Sequence, residues 1–185
     1  MNCLVAIGSN LPKGGQSPAD LLSHALWMFE GEGLHVVAQS AFYNSPAYPA
    51  GNGPDYVNAV VQVETQLTPE EVLESLHRIE AALGRVRTTR WEARVIDLDL
   101  IACESRVVPD TPTVTHWIEL SESRQMEDVP DQLLVPHPRL QDRAFVLVPL
   151  AEVAPEWTHP LSGLTAGAML ASLDPVDTRA VVRLD

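Results

Sequence analysis

Two tetrapeptides constrain this fold more than anything else in the chain. Ser17-Pro18-Ala19-Asp20 and Thr68-Pro69-Glu70-Glu71 each set a capping hydroxyl ahead of a proline and an acid, the signature of a helix start. Behind the first, Leu21, Leu22, Ala25, Leu26 and Phe29 recur at helical spacing until Gly31. Behind the second, Val72, Leu73, Leu76, Ile79 and Leu83 do the same until Gly84. Between and around them lie strand-like runs at 2–7, 34–43, 54–64 and from Asp97 to about Cys103. The order is strand, helix, strand, strand, helix, strand. It predicts an α+β, ferredoxin-like βαββαβ sandwich in which 34–43 and 54–64 form a hairpin and both helices cover one face. A short helix over 163–173 and a closing strand over 178–184 are expected as C-terminal additions. Residues 104–133, with Pro109, Pro112 and Pro130, read as an irregular, solvated insertion with a brief strand at Ile118-Glu119-Leu120, an active-site lid being the lesser alternative.

The 185 residues are expected to form a single domain, 1–185. A formal charge of −13 argues against binding nucleic acid or anionic membranes, both of which need basic surfaces. No apolar run approaches the roughly 20 residues of a membrane span. Cys3 and Cys103 both lie in apolar, strand-like surroundings and are expected as buried reduced thiols. A cytoplasmic enzyme is the default.

Against that acidic background the stretch 84–99 is anomalous. Arg85, Arg87, Arg90 and Arg94 crowd together, and Lys13 is the chain's one lysine. Arginine suits phosphate because its planar donors reach two oxygens at once. Directly after them Asp97 and Asp99 alternate with Ile96, Leu98 and Leu100, so on a strand both carboxylates share a face. Paired carboxylates repel unless a cation joins them, and hard divalent cations prefer oxygen. The pattern predicts magnesium and a polyphosphate. There is no G-x-G-x-x-G after the first strand and no G-x-x-x-x-G-K-[ST], so a nucleotide must be held by other means.

Further motifs, in order along nearly the whole chain, resemble the 6-hydroxymethyl-7,8-dihydropterin pyrophosphokinase family. They are Ala6-Ile7-Gly8-Ser9-Asn10, Phe42-Tyr43-Asn44-Ser45-Pro46 and Pro54-Asp55-Tyr56-Val57-Asn58. Then come Arg78-Ile79-Glu80, Gly84-Arg85-Val86-Arg87, Arg90-Trp91, Arg94 and Asp97-Leu98-Asp99, followed by Val135-Pro136-His137 and Arg143-Ala144-Phe145. The resemblance implies the ferredoxin-like fold and ATP-dependent pyrophosphoryl transfer to the pterin hydroxymethyl group, with AMP released. It implies that Asp97 and Asp99 hold two Mg2+ ions bridging the ATP phosphates. Arg94 and Arg143 would be the main phosphate ligands, with Arg85, Arg87 and Arg90 on a loop closing over ATP. Tyr56 and Phe145 would stack on the pterin, Asn58 would bond its ring, Ser45 and Pro46 would offer backbone groups, and Trp91 would cover it. Glu80, Leu100 and His137 would lie on the ATP side. A monomer is expected. The alternative is a ferredoxin-like small-molecule-binding or regulatory module without turnover, which leaves the paired aspartates beside four arginines unexplained. The arginine loop is one residue shorter than the family pattern and carries Glu92-Ala93 where Gly-Pro is usual.

Overall fold

The computed structural model describes residues 1–47, 53–85, 95–121, 123–124 and 128–184. Both predicted caps form. Ser17 and Thr68 each accept the backbone N–H three residues on, and Asp20 and Glu71 return the bond to the cap's own N–H, opening α1 (Pro18–Phe29) and α2 (Pro69–Ala82). The strands are β1 (Asn2–Ser9), β2 (His35–Gln39), β3 (Tyr43–Ser45), β4 (Tyr56–Glu64), β5 (Asp97–Cys103) and β6 (Val182–Arg183). They form one antiparallel sheet ordered β5-β1-β4-β3-β6, with β2 also paired to β4.

The expected hairpin forms with a break. Residues 34–43 divide into β2, which meets the far half of β4, and β3, which meets its near half. Ser40 holds the gap: its N–H donates to the Val60 carbonyl at 3.0 Å and its Oγ accepts the Val60 N–H at 3.1 Å.

Beneath α1 and α2 lie Val5, Ile7, Val61, Val63, Leu98 and Leu100, packed on Phe29, Val72, Leu76 and Ile79. The opposite face is covered too. The apolar stretch after Arg143 folds as α4 (Ala144–Val153), and with α5 (Ala166–Ser172) it packs on Leu4, Val60 and Ile101. That burial on both faces is why β1 and β4 are apolar without clean alternation. The closing strand shortens to β6 because 175–179 turn into a helix, α6 (Pro175–Arg179).

Two expectations are overturned. Cys3 and Cys103 are buried, but as a disulfide between β1 and β5, directly opposite in register with Cα atoms 4.0 Å apart. Only strand pairing across 100 residues brings them together, which local context cannot reveal. The insertion is also more than a solvated excursion. Residues 111–119 form a helix, α3 (Thr111–Glu119), so no strand exists at Ile118-Glu119-Leu120. Asp110 caps it through the Thr113 N–H at 2.8 Å, Val114 is fully buried, and Val108 bridges to Val135. Among the described residues no helix is long and apolar enough to cross a membrane.

Candidate active site

The site begins as a matter of register. Gly8 on β1 faces Asn58 on β4 and Asp97 on β5, and Ala6 two residues back faces Val60 and Asp99. Alternation puts Tyr56, Asn58, Ala6, Gly8, Asp97 and Asp99 on one side of the sheet, whereas Leu98 and Leu100 point into the core under α1 and α2. Two strand spacings separate Asn58 from Asp97, roughly 10 Å with Gly8 between them. Gly8 leaves that floor open. A Cβ there would stand 3.0 Å from Asn58 Oδ1, so any side chain would press on the asparagine.

Over this floor lies a cavity of about 710 Å³. Ser45, Pro46, Tyr56, Asn58 and Phe145 come together in its lining. Asn58 Nδ2 donates to Ser45 Oγ at 2.8 Å, and both side chains are buried. This bond fixes the amide, leaving Oδ1 and a second N–H for a ligand. It also gives Ser45 a side-chain role that the sequence reading had left to backbone groups. Phe145 stands at the start of α4 with the Arg143 guanidinium 5.6 Å from its ring centre.

Asp97 and Asp99 open into the middle of the cavity. Arg85 lies 2.8 Å from Asp97 Oδ1 and also pairs with Glu80. Glu80, expected on the nucleotide side, is buried beside the strand. It accepts the Leu98 N–H at 2.8 Å and, through its pair with Arg85, orients that arginine. Burial raises the Glu80 pKa against the lowering effects of the Leu98 N–H and Arg85. Two carboxylates at alternate positions suit magnesium, which takes one or two protein carboxylates and completes its shell with water and phosphate oxygens. No group of three or more His, Cys, Asp or Glu able to hold a metal occurs among the described residues.

His137 and Arg143 also line the cavity, and Leu100 borders it although its side chain is buried in the core. The His137 pKa is pushed down to about 3, first by burial and then by Arg143 and Arg139. Its Nδ1 accepts the Arg139 N–H at 3.1 Å, so the neutral ring carries its proton on Nε2. Arg87, Arg90, Trp91 and Arg94 lie outside the described residues. Sequence reasoning missed Leu73 on α2, Trp117 on α3, and Arg139. None carries a local signal, because each enters the site only through packing. It also missed how Ser9 and Asn10 act. Ser9 Oγ donates to the Val95 carbonyl at 2.6 Å and Asn10 Nδ2 to the Pro54 carbonyl at 3.1 Å, so the turn after β1 ties down the ends of two loops.

A family model described as 7,8-dihydro-6-hydroxymethylpterin-pyrophosphokinase (HPPK) matches residues 4–155, which include every candidate site residue. The chain belongs to the HPPK family. A Methylorubrum extorquens protein named 2-amino-4-hydroxy-6-hydroxymethyldihydropteridine pyrophosphokinase is 38% identical over 171 residues, 92% of each chain. One of the same name from Haemophilus influenzae is 34% identical over 159 residues, 85% of this chain and 84% of its own. Among solved structures, an HPPK-DHPS in complex with substrates superposes with a TM-score of 0.66 at 14% identity over 92% of this chain. Wild-type Plasmodium falciparum HPPK-DHPS gives 0.60 at 14% identity, again over 92%. The chain spans only 43% and 44% of those two longer proteins, and the likeness to them is one of fold.

Proposed function

We propose that this HPPK-family chain transfers the pyrophosphoryl group of ATP to the hydroxymethyl oxygen of 6-hydroxymethyl-7,8-dihydropterin, giving the pterin diphosphate and AMP in folate biosynthesis. The register Asn58–Gly8–Asp97 carries the reading, because it sets an amide that can read a heterocycle beside a carboxylate pair in one cavity. Tyr56 and Phe145 stack on the pterin faces and Asn58 bonds its edge, with Ser45 and Pro46 alongside. The acceptor oxygen then attacks the β-phosphorus as the bond to the departing AMP oxygen breaks. This displacement needs alignment and charge neutralisation more than covalent help. Asp97 and Asp99 are the residues to hold two magnesium ions, which when bound neutralise the phosphate charge. Arg85 and Arg143 reach the phosphates, and the neutral His137 offers its Nε2–H to the nucleotide beside Leu100. Arg94, Arg87 and Arg90 add cationic donors from the loop, and Trp91 covers the pterin. Excluding water matters here, since water is the competing acceptor.

The strand order, with β1 and β4 central and β5 at the edge, supports the ferredoxin-like reading. The proposal includes a single domain over 1–185, a monomer, and the cytoplasm, where ATP is at hand. AMP release from ATP that requires both the hydroxymethyl pterin and magnesium tests the function. Asp97→Ala and Asp99→Ala should each lower the rate roughly 10²–10³-fold, the size of a lost electrostatic group. Near wild-type transfer by either variant would overturn the metal assignment.

A further inference from the structure

The insertion builds a wall of the cavity. On α3, Val114 and Trp117 are three residues apart and share a face. Val114 is fully buried, whereas Trp117, one turn further, is only half-buried and lines the cavity. β5 is the edge strand, and the cavity passes over its outer side to take in Leu73 and His77 of α2 as well. Val129, 65% exposed, also lines the cavity and adds an apolar side chain to this wall.

Charge divides this cavity. Its lining arginines, Arg139 and Arg143, flank His137 beside the paired aspartates. Among the described residues, the charged groups that the insertion brings to the lining are Asp128 and Asp131, and Asp128 is bonded to Arg124 at 2.8 Å. A polyphosphate is drawn to the arginines and repelled by the insertion. The part of the nucleotide that suits the insertion is therefore its uncharged, flat end.

We propose that Trp117 is the platform on which the nucleobase of ATP stacks, so that the insertion supplies one wall of the base site. This rests on the kinase reading for the identity of the nucleotide. It explains why an aromatic ring is held half-exposed at the cavity edge by a fully buried Val114 one turn away. It also explains why this face of the cavity is apolar and acidic although the site handles phosphate.

The test compares a ligand that has a base with one that has none. Calorimetry with magnesium and a non-hydrolysable ATP analogue, and separately with magnesium tripolyphosphate, is run on the wild type, Trp117→Ala and Trp117→Phe. Trp117→Ala should weaken the analogue about tenfold, within the range for a base–aromatic stack, and leave tripolyphosphate unchanged. Trp117→Phe, which keeps a ring, should retain most of the affinity and controls for a folding defect. Equal losses for the two ligands, or unchanged analogue binding in Trp117→Ala, would overturn the proposal. A wild type that binds the analogue and discriminates through Trp117 but transfers nothing would overturn the kinase reading and leave the wall standing.

Discussion

The two ends of the cavity are made in different ways. The proposed pterin end is written into the sheet: Ser45, Asn58 and Gly8 occupy neighbouring strands, and the Asn58–Ser45 bond fixes the amide. The proposed nucleotide end is gathered from α2, α3 and residues 128–139, which no common ladder joins. Its order depends on side-chain contacts such as the Arg85 bridge between Glu80 and Asp97. A register cannot slip by one residue without turning every side chain over, so the pterin end is rigid by construction. An assembled wall can gain or lose a segment without disturbing the strands. The insertion is such a segment.

Several variants would break or sharpen this contrast. The largest effect is expected from Glu80→Ala, which leaves Arg85 short of a partner and the Leu98 N–H unsatisfied. Breaking such a buried pair should cost about 3 kcal/mol, seen as a lower denaturation midpoint, while folded protein keeps its pterin affinity. Parallel loss of pterin affinity would show that the two ends are not independent. Next, Tyr56→Ala or Phe145→Ala should weaken pterin binding roughly tenfold with little change for ATP. Equal losses for both ligands in calorimetry would count against the sandwich. Gly8→Ala places a methyl 3.0 Å from Asn58 Oδ1, so a several-fold loss confined to the pterin is expected, and an unchanged affinity would mean that the asparagine can move.

The smallest effect concerns pH. The His137 pKa is depressed to about 3 in the folded chain, so its neutral form is the stable one. Its contribution to stability is full above the ordinary histidine value of 6.5 and is lost as pH falls from there toward about 3. Glu80, raised by burial, acts in the opposite sense as pH falls. The quantity to measure is therefore the difference in melting temperature between wild type and His137→Gln across that window. A constant difference would mean that His137 is not held neutral by the fold.

Much of this was legible in the chain. The capping boxes fixed both helices because a cap is a local bond between residues three apart. The Asp97-Leu98-Asp99 alternation placed two carboxylates on one face because strand periodicity is equally local. The break at Ser40 was not legible, since it depends on how two short strands share β4. Nor was the true place of Glu80, which its helical position leaves open until β5 lies against α2.

The chain's local patterns and motifs specify the α+β order of elements, the carboxylate pair, and the set Ser45, Pro46, Tyr56, Asn58 and Phe145 that meets in the cavity. These follow from periods of two and 3.6 residues and from a set of ordered motifs. Only the tertiary structure decided that Cys3 and Cys103 join, that Gly8 lies between Asn58 and Asp97, and that Trp117 lines the cavity. Each is a meeting between segments far apart in the chain. Such meetings are set by strand register and by packing on a shared core, and neither leaves a mark in any short window of residues.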